Sequence, residues 1–124
     1  MVVRDKTVLI IDDDNRNTFA LSAYLKSKGF RALSAGGMND AFEKLATNKN
    51  IDVILLDMMM PEMDGYEALE ILKSNQEYSS VPVIAVTAQA MAGDREKCLA
   101  AGADEYVSKP VDVDFLLERL KHIV

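Results

Sequence analysis

The chain has one cysteine, one histidine, no tryptophan and three prolines in its 124 residues. A lone cysteine, Cys98, closes no internal disulfide, and with His122 the single histidine there is no His/Cys set for zinc. Any metal must therefore be held by oxygen. Basic residues are in deficit too, 14 Lys and Arg against 20 Asp and Glu, for a formal charge of −6. A chain of that sign repels polyanions, which argues against nucleic acid as a direct partner. Long hydrophobic runs are missing, and Met1-Val2-Val3-Arg4-Asp5-Lys6 lacks an apolar signal core. Neither membrane insertion nor secretion is expected, and the expected location is the cytoplasm.

What is present is a core. A chain of this length buries roughly 65–70% of the surface its unfolded form exposes, enough for one domain without staples. Residues 1–124 are expected to form that single domain, with a core over about 6–122, no internal repeat or linker, and no output domain after the last helix. Short apolar runs alternate with segments of helical period, the pattern of βαβ units. Thr18, Leu21 and Leu25 mark a first helix with Gly29 as its stop. Met38, Ala41/Phe42 and Leu45 mark a second, and Gly65, Leu69 and Leu72 a third, with Asp64 as N-cap. Met91 to Ala101, ended by Gly102, gives the fourth, and Val113, Leu116/Leu117 and Leu120 the fifth, with Asp112 at its start and Lys121-His122 at its end.

Five strands are expected near residues 7–11, 30–34, 52–57, 82–87 and 104–107. The first, third and fourth are apolar without alternation and belong in the middle of a sheet covered on both faces. The other two are more polar and suit its edges. Right-handed crossovers then give an α/β, doubly wound, five-stranded parallel sheet of order 2-1-3-4-5, flavodoxin-like, with its switch point between strands 1 and 3.

Polar residues stand where those apolar runs stop: Asp12 to Asp14 after Val8-Leu9-Ile10-Ile11, Asp57 after Val53-Ile54-Leu55-Leu56, Thr87 after Val83-Ile84-Ala85-Val86, and Lys109 before Pro110. In a parallel sheet these ends share one edge, so carboxylates, hydroxyl and ammonium converge. Asp14 has the plain role of a helix start. Asp57 does not, because a carboxylate ending a fully apolar strand has no structural reason to be there. Asp12, Asp13 and Asp57 would face each other across the switch point, repelling by roughly 4 kcal/mol per close pair at an effective dielectric of 20, which calls for a cation. Hard oxygen ligands with open positions suit Mg²⁺. Pro110 permits a cis bond that would aim Lys109 inward, and the Thr87 hydroxyl could donate to a phosphoryl oxygen.

Through Ile10-Ile11-Asp12-Asp13-Asp14, Leu55-Leu56-Asp57-Met58-Met59-Met60-Pro61-Glu62-Met63-Asp64-Gly65, Val86-Thr87-Ala88 and Gly102-Ala103-Asp104-Glu105-Tyr106-Val107-Ser108-Lys109-Pro110, the chain resembles the receiver domain of two-component response regulators over essentially its whole length. The resemblance implies that Asp57 is the phospho-acceptor. It also implies that Asp13 and Asp57 ligate Mg²⁺ with the backbone carbonyl of Met59, that Asp12 helps through water, that Thr87 and Lys109 contact the phosphoryl group, and that Tyr106 is an aromatic switch. Met59 and Gln89, two residues beyond Asp57 and Thr87, would flank the path of the hydrolytic water and tune dephosphorylation.

The function expected is a phospho-accepting signalling switch, not an enzyme beyond self-phosphorylation and slow autodephosphorylation. The donor would be a histidine kinase or histidine phosphotransfer protein, since His122 lies at the far end of the last helix. Phosphorylation would change the face of helix 4, strand 5 and helix 5 toward a downstream protein, the chain being a monomer or a weak phosphorylation-dependent dimer. The alternative is a Mg²⁺-dependent phosphohydrolase with the same aspartyl nucleophile; against it, Met59 stands where a second acid would be needed. A flavin carrier is disfavoured because the loop after strand 1 is acidic.

Overall fold

The computed structural model of the chain describes residues 6–48, 50–60, 63–88 and 93–123. Its centre is built from the three uninterrupted apolar runs. β1 (Thr7–Ile11) and β4 (Val83–Thr87) are buried at every residue, and β3 (Ile51–Asp57) at all but Asp52. β2 (Arg31–Ala35) and β5 (Glu105–Ser108) expose part of their surface and lie at the edges. All neighbours are parallel, in the order β2-β1-β3-β4-β5. The one irregularity falls between Thr7 and Val8, where β3 carries an extra residue, Asp52, whose Oδ2 accepts the Thr7 N–H at 2.8 Å.

Helices cover both faces. α1 (Asn15–Ser27) and α5 (Val113–Ile123) pack Leu21, Leu25, Leu116 and Leu120 against Val8, Ile10, Val53, Leu55, Ile84 and Val86. On the other face α2 (Met38–Thr47), α3 (Gly65–Ser74) and α4 (Asp94–Ala100) pack against Leu9, Ile11, Ile54, Leu56 and Ala85. None of the described helices is long and apolar enough to cross a membrane.

Two helix ends show why the expected boundaries shift. Gly29, at φ 95°, donates to Lys26 O while Phe30 N donates to Leu25 O at 3.0 Å. That double closure commits the Phe30 N–H to α1, so β2 begins at Arg31, one residue later than expected. Gly102 and Ala103 close α4 in the same way, on Leu99 O and Cys98 O. The described part of α4 begins at Asp94 behind Gly93, later than the expected Met91; Met91 and Ala92 lie outside the described residues. A short antiparallel ribbon, Met59–Met60 with Met63–Asp64, was not expected from the sequence. It delivers the chain to Asp64, whose Oδ1 caps α3 through Tyr66 N at 3.0 Å.

Candidate functional site

The ends of β1 and β3 lie side by side at the carboxyl edge of the sheet, and the chain leaves them in opposite senses, toward α1 and toward the ribbon. Asp12 follows β1, anchored by its N–H on Ala35 O at 3.0 Å, and Asp57 is the last residue of β3. Both are buried, at 3% and 4% exposure, while Asp13 is exposed. Carboxylate oxygens of Asp12, Asp13 and Asp57 lie within 4.8 Å of one another. The sequence places these three residues at one switch point, and the structure brings them together there.

Each buried carboxylate has its own donors. Asp12 Oδ1 accepts from Asp14 N at 2.9 Å, and Oδ2 from Asn17 Nδ2 at 2.7 Å. Asp57 Oδ1 accepts from Met59 N at 3.0 Å. The Lys109 ammonium bridges the pair, 3.4 Å from Asp12 Oδ2 and 3.6 Å from Asp57 Oδ2. Among the described residues two buried carboxylates thus share the Lys109 ammonium, with the Asp13 carboxylate beside them. Burial raises the Asp57 carboxyl above its ordinary value of 3.8, and the charge of Asp12 adds to that; the Met59 N–H and Lys109 pull the other way without cancelling it. A buried carboxyl that resists ionisation this close to a second one is a site where added positive charge is strongly favoured.

Asn17 is the residue that sequence reasoning missed. It stands in the first turn of α1, where a side chain ordinarily reaches back to the N-cap N–H. The Asp14 N–H is already taken by Asp12, and Asp14 itself caps the helix through Arg16 N and Asn17 N. The Asn17 amide reaches past the cap to Asp12 instead. The available signal was an amide one turn into a helix that starts at an acidic cluster.

The remaining candidates fall around this pair. Thr87, 3% exposed, ends β4, and its carbonyl accepts from Lys109 N at 2.7 Å, so the loop carrying Lys109 is sewn to the end of β4. The Lys109–Pro110 bond is cis. Asp14 has the N-cap role expected of it. Met58 and Met60 are buried in the core, whereas the Met59 side chain is 46% exposed. Gln89 lies outside the described residues. Tyr106 sits on β5, partly buried against the α2/α3/α4 face, with its Oη donating to Asp94 Oδ2 at 2.9 Å. His122 is exposed in the last turn of α5. A hollow of about 320 Å³ lined by Leu45, Asn48, Ile51, Glu77, Tyr78 and Val81 lies at the opposite edge of the sheet, where β3 begins, and takes no part in this chemistry.

A parallel sheet of this order, with an acidic pair at its switch point and a lysine reaching in from β5, has a match among known families. The response regulator receiver domain matches residues 8–121. The chain belongs to the response regulator receiver family. One relative of this receiver is the polar-differentiation response regulator DivK of Brucella ovis, 34% identical over 116 residues that cover 94% of each chain. Among solved structures, the receiver domain of a Francisella response regulator superposes with a TM-score of 0.87 at 30% identity, covering 96% of each chain. A response regulator receiver protein of Pseudomonas putida gives 0.88 at 27% identity, covering 98% of this chain and 99% of its own. The receiver family is one of two-component signalling switches rather than of enzymes proper.

Proposed function

We propose that the chain is a phospho-accepting switch in which Asp57 takes a phosphoryl group from a phosphohistidine on a histidine kinase or phosphotransfer protein. The observation that carries this reading is the placement of Asp57: a buried carboxylate at a strand end, with Lys109 3.6 Å away and Thr87 ending the neighbouring strand. In the transfer, an Asp57 oxygen forms a bond to phosphorus as the donor's N–P bond breaks in line. The electron pair of that bond stays on the imidazole nitrogen, which is then protonated from water. No general base is needed, because a carboxylate is already the nucleophile; positioning and charge neutralisation supply the catalysis. Lys109 and the Thr87 hydroxyl supply positive charge and a hydrogen bond to the phosphoryl oxygens.

The donor set of Asp12, Asp13 and Asp57, all hard oxygens within 4.8 Å, fits a small divalent cation. Asp13 and Asp57 with the Met59 carbonyl would hold Mg²⁺, with Asp12 acting through water. Bound there, Mg²⁺ neutralises the repulsion between the carboxylates and the incoming phosphoryl oxygens. The consequence on the far side is a population shift in the α4, β5 and α5 face, in which Tyr106 changes position as Thr87 engages the phosphoryl group. That face would control a downstream protein, with the chain a monomer or a weak phosphorylation-dependent dimer.

The reading predicts stoichiometry. With acetyl phosphate and Mg²⁺ the chain takes up one phosphoryl group, and Asp13→Ala slows that uptake by at least tenfold; intact-mass spectrometry over time measures both. Sustained turnover of a small phosphate ester, followed by inorganic phosphate release, would instead favour the phosphohydrolase alternative.

The lifetime of the phosphoryl group is the second expectation. A thioether is a weak acceptor on an apolar stem, so Met59 cannot orient a hydrolytic water. Its side chain, two residues beyond Asp57, is 46% exposed. Intrinsic decay is therefore slow, with Gln89 left to hold the water. Met59→Asn supplies an amide and speeds the decay of radiolabelled phosphoprotein several-fold; equal decay rates would remove Met59 from the mechanism.

A further inference from the structure

Asp94 opens α4 and accepts on both carboxylate oxygens. Tyr66 Oη donates to Oδ1 at 2.6 Å, and Tyr106 Oη donates to Oδ2 at 2.9 Å. The two phenols come from different elements, the first turn of α3 and the middle of β5, so one carboxylate ties the start of α4 to both. The helix offers no side-chain cap of its own there. Its N-cap is Gly93, which has no side chain to cap with, and Cys98 is the buried residue of the helix. The Tyr66 ring is held from above by Lys97, whose Nζ lies 4.5 Å from the ring centroid, and Cys98 Sγ lies 3.9 Å from the Tyr66 hydroxyl.

Tyr66 is also joined to the acidic site through the backbone. It follows Gly65, which lies so close to Met58 that a Cβ there would come within 2.5 Å of Met58 Cα, and Met58 follows Asp57. A contiguous route therefore runs from Asp57 through Met58, Gly65 and Tyr66 to Asp94 and Tyr106. It is separate from the route through Thr87 and β4. Both phenols hold their protons well above neutrality: burial and the Asp94 carboxylate push Tyr106 up to about 12, and the hydrogen bond to Asp94 is the first cause of a raised value at Tyr66. Both remain donors over the physiological range, so the arrangement responds to displacement and not to pH.

We propose that Asp94 is a latch, a positioning residue that holds Tyr106 and the start of α4 in the unphosphorylated arrangement, with Tyr66 as the tether that carries displacement at the Asp57 loop to it. The proposal rests on the reading of Tyr106 as the switch residue and adds what sets its threshold. Because a ligand shifts a two-state equilibrium only by its differential affinity, a side chain that bonds Tyr106 in one state alone makes the other state harder to reach. Hydrogen bonds to a charged acceptor are strong enough that removing this one moves the equilibrium about tenfold.

The test follows the four tyrosines by NMR with carbon-13 at Cζ, a position that reports on the phenol's hydrogen bond; Tyr→Phe variants assign the signals. Beryllofluoride with Mg²⁺ serves as the phosphoryl mimic. In Asp94→Ala the Tyr106 signal moves toward its beryllofluoride position before any mimic is added, and half-saturation by the mimic falls about tenfold. Tyr66→Phe shifts the Tyr106 signal in the wild-type background and leaves it unchanged in Asp94→Ala, since the two phenols are linked through that carboxylate. Should Asp94→Ala fold poorly by thermal melting, Asp94→Asn, which keeps a single carbonyl acceptor, gives an intermediate displacement. A wild-type Tyr106 signal that ignores beryllofluoride overturns the switch reading itself. A wild type that responds, with a folded Asp94→Ala or Asp94→Asn giving the same Tyr106 signal and the same titration, overturns the latch alone.

Discussion

The Asp57→Asn variant takes up no phosphoryl group from acetyl phosphate and Mg²⁺, under conditions in which the unaltered chain takes up one. The amide keeps the shape of the carboxylate and can still accept from Met59 N, but its oxygen carries no charge with which to attack phosphorus, and Asp12 and Asp13 do not substitute for it. Asp12 has both oxygens committed, to Asp14 N and to Asn17 Nδ2, and Asp13 is exposed rather than buried at a strand end. Intact mass measures the loss. The same variant is expected to melt higher than wild type at pH 7 without Mg²⁺, because it removes a charge that burial disfavours.

The sign of that effect follows from the direction of the Asp57 shift. The folded-state value is raised above 3.8, chiefly by burial, so the native state binds a proton more tightly than the unfolded chain does. Between 3.8 and the raised value, wild-type stability falls as pH rises. Below that window the carboxyl is protonated in both states, and the advantage of Asp57→Asn disappears. Melting temperatures of both proteins from pH 7 down to pH 4 should therefore converge. A constant difference would mean that the variant acts by packing rather than by charge.

The largest loss of stability is expected at Gly65. A Cβ built there would meet the Met58 Cα at 2.5 Å and the Met58 carbonyl oxygen at 2.8 Å, both backbone atoms that cannot rotate aside. Either the ribbon moves or α3 tilts off Leu56 and the rest of its face. Overpacking of this kind costs about 3 kcal/mol, which for a domain of this size lowers the melting temperature by roughly 10 °C or more. The same displacement acts on the residue next to Asp57, so Gly65→Ala should also slow phosphoryl uptake in the fraction that remains folded. Thermal melting and the rate of uptake from acetyl phosphate measure the two effects. A variant with unchanged melting would show that the loop is loose enough to absorb a methyl group.

Much of the fold could be read from three apolar runs. Val8 to Ile11, Val53 to Leu56 and Val83 to Val86 have no polar alternation, which placed them in the centre of a parallel sheet, and the crossover rule then left one strand order. That order alone brings Asp12 and Asp57 to neighbouring strand ends. The helix starts at Asp14, Asp64 and Asp112 were legible for a local reason, because a capping side chain bonds to backbone two or three residues on. What was not legible depends on distance in the chain or on direction in space. Asp94 meets Tyr66 and Tyr106, 28 and 12 residues away in sequence, and no periodicity encodes that meeting. The aim of the Asn17 amide depends on how α1 leaves β1, and the need for glycine at position 65 on a backbone contact rather than on a turn. The short ribbon at Met59 and Met63 has only two residues a side, too few for alternation to appear.

Reduction of the phosphorylated chain is the most direct test of the central claim. Borohydride converts an aspartyl phosphate to homoserine and leaves free carboxylates untouched, so the modified position can be read by peptide mass mapping after treatment with acetyl phosphate and Mg²⁺. The account predicts homoserine at position 57 and at no other aspartate. Homoserine at position 12 or 13, or phosphate retained elsewhere with position 57 intact, would contradict it.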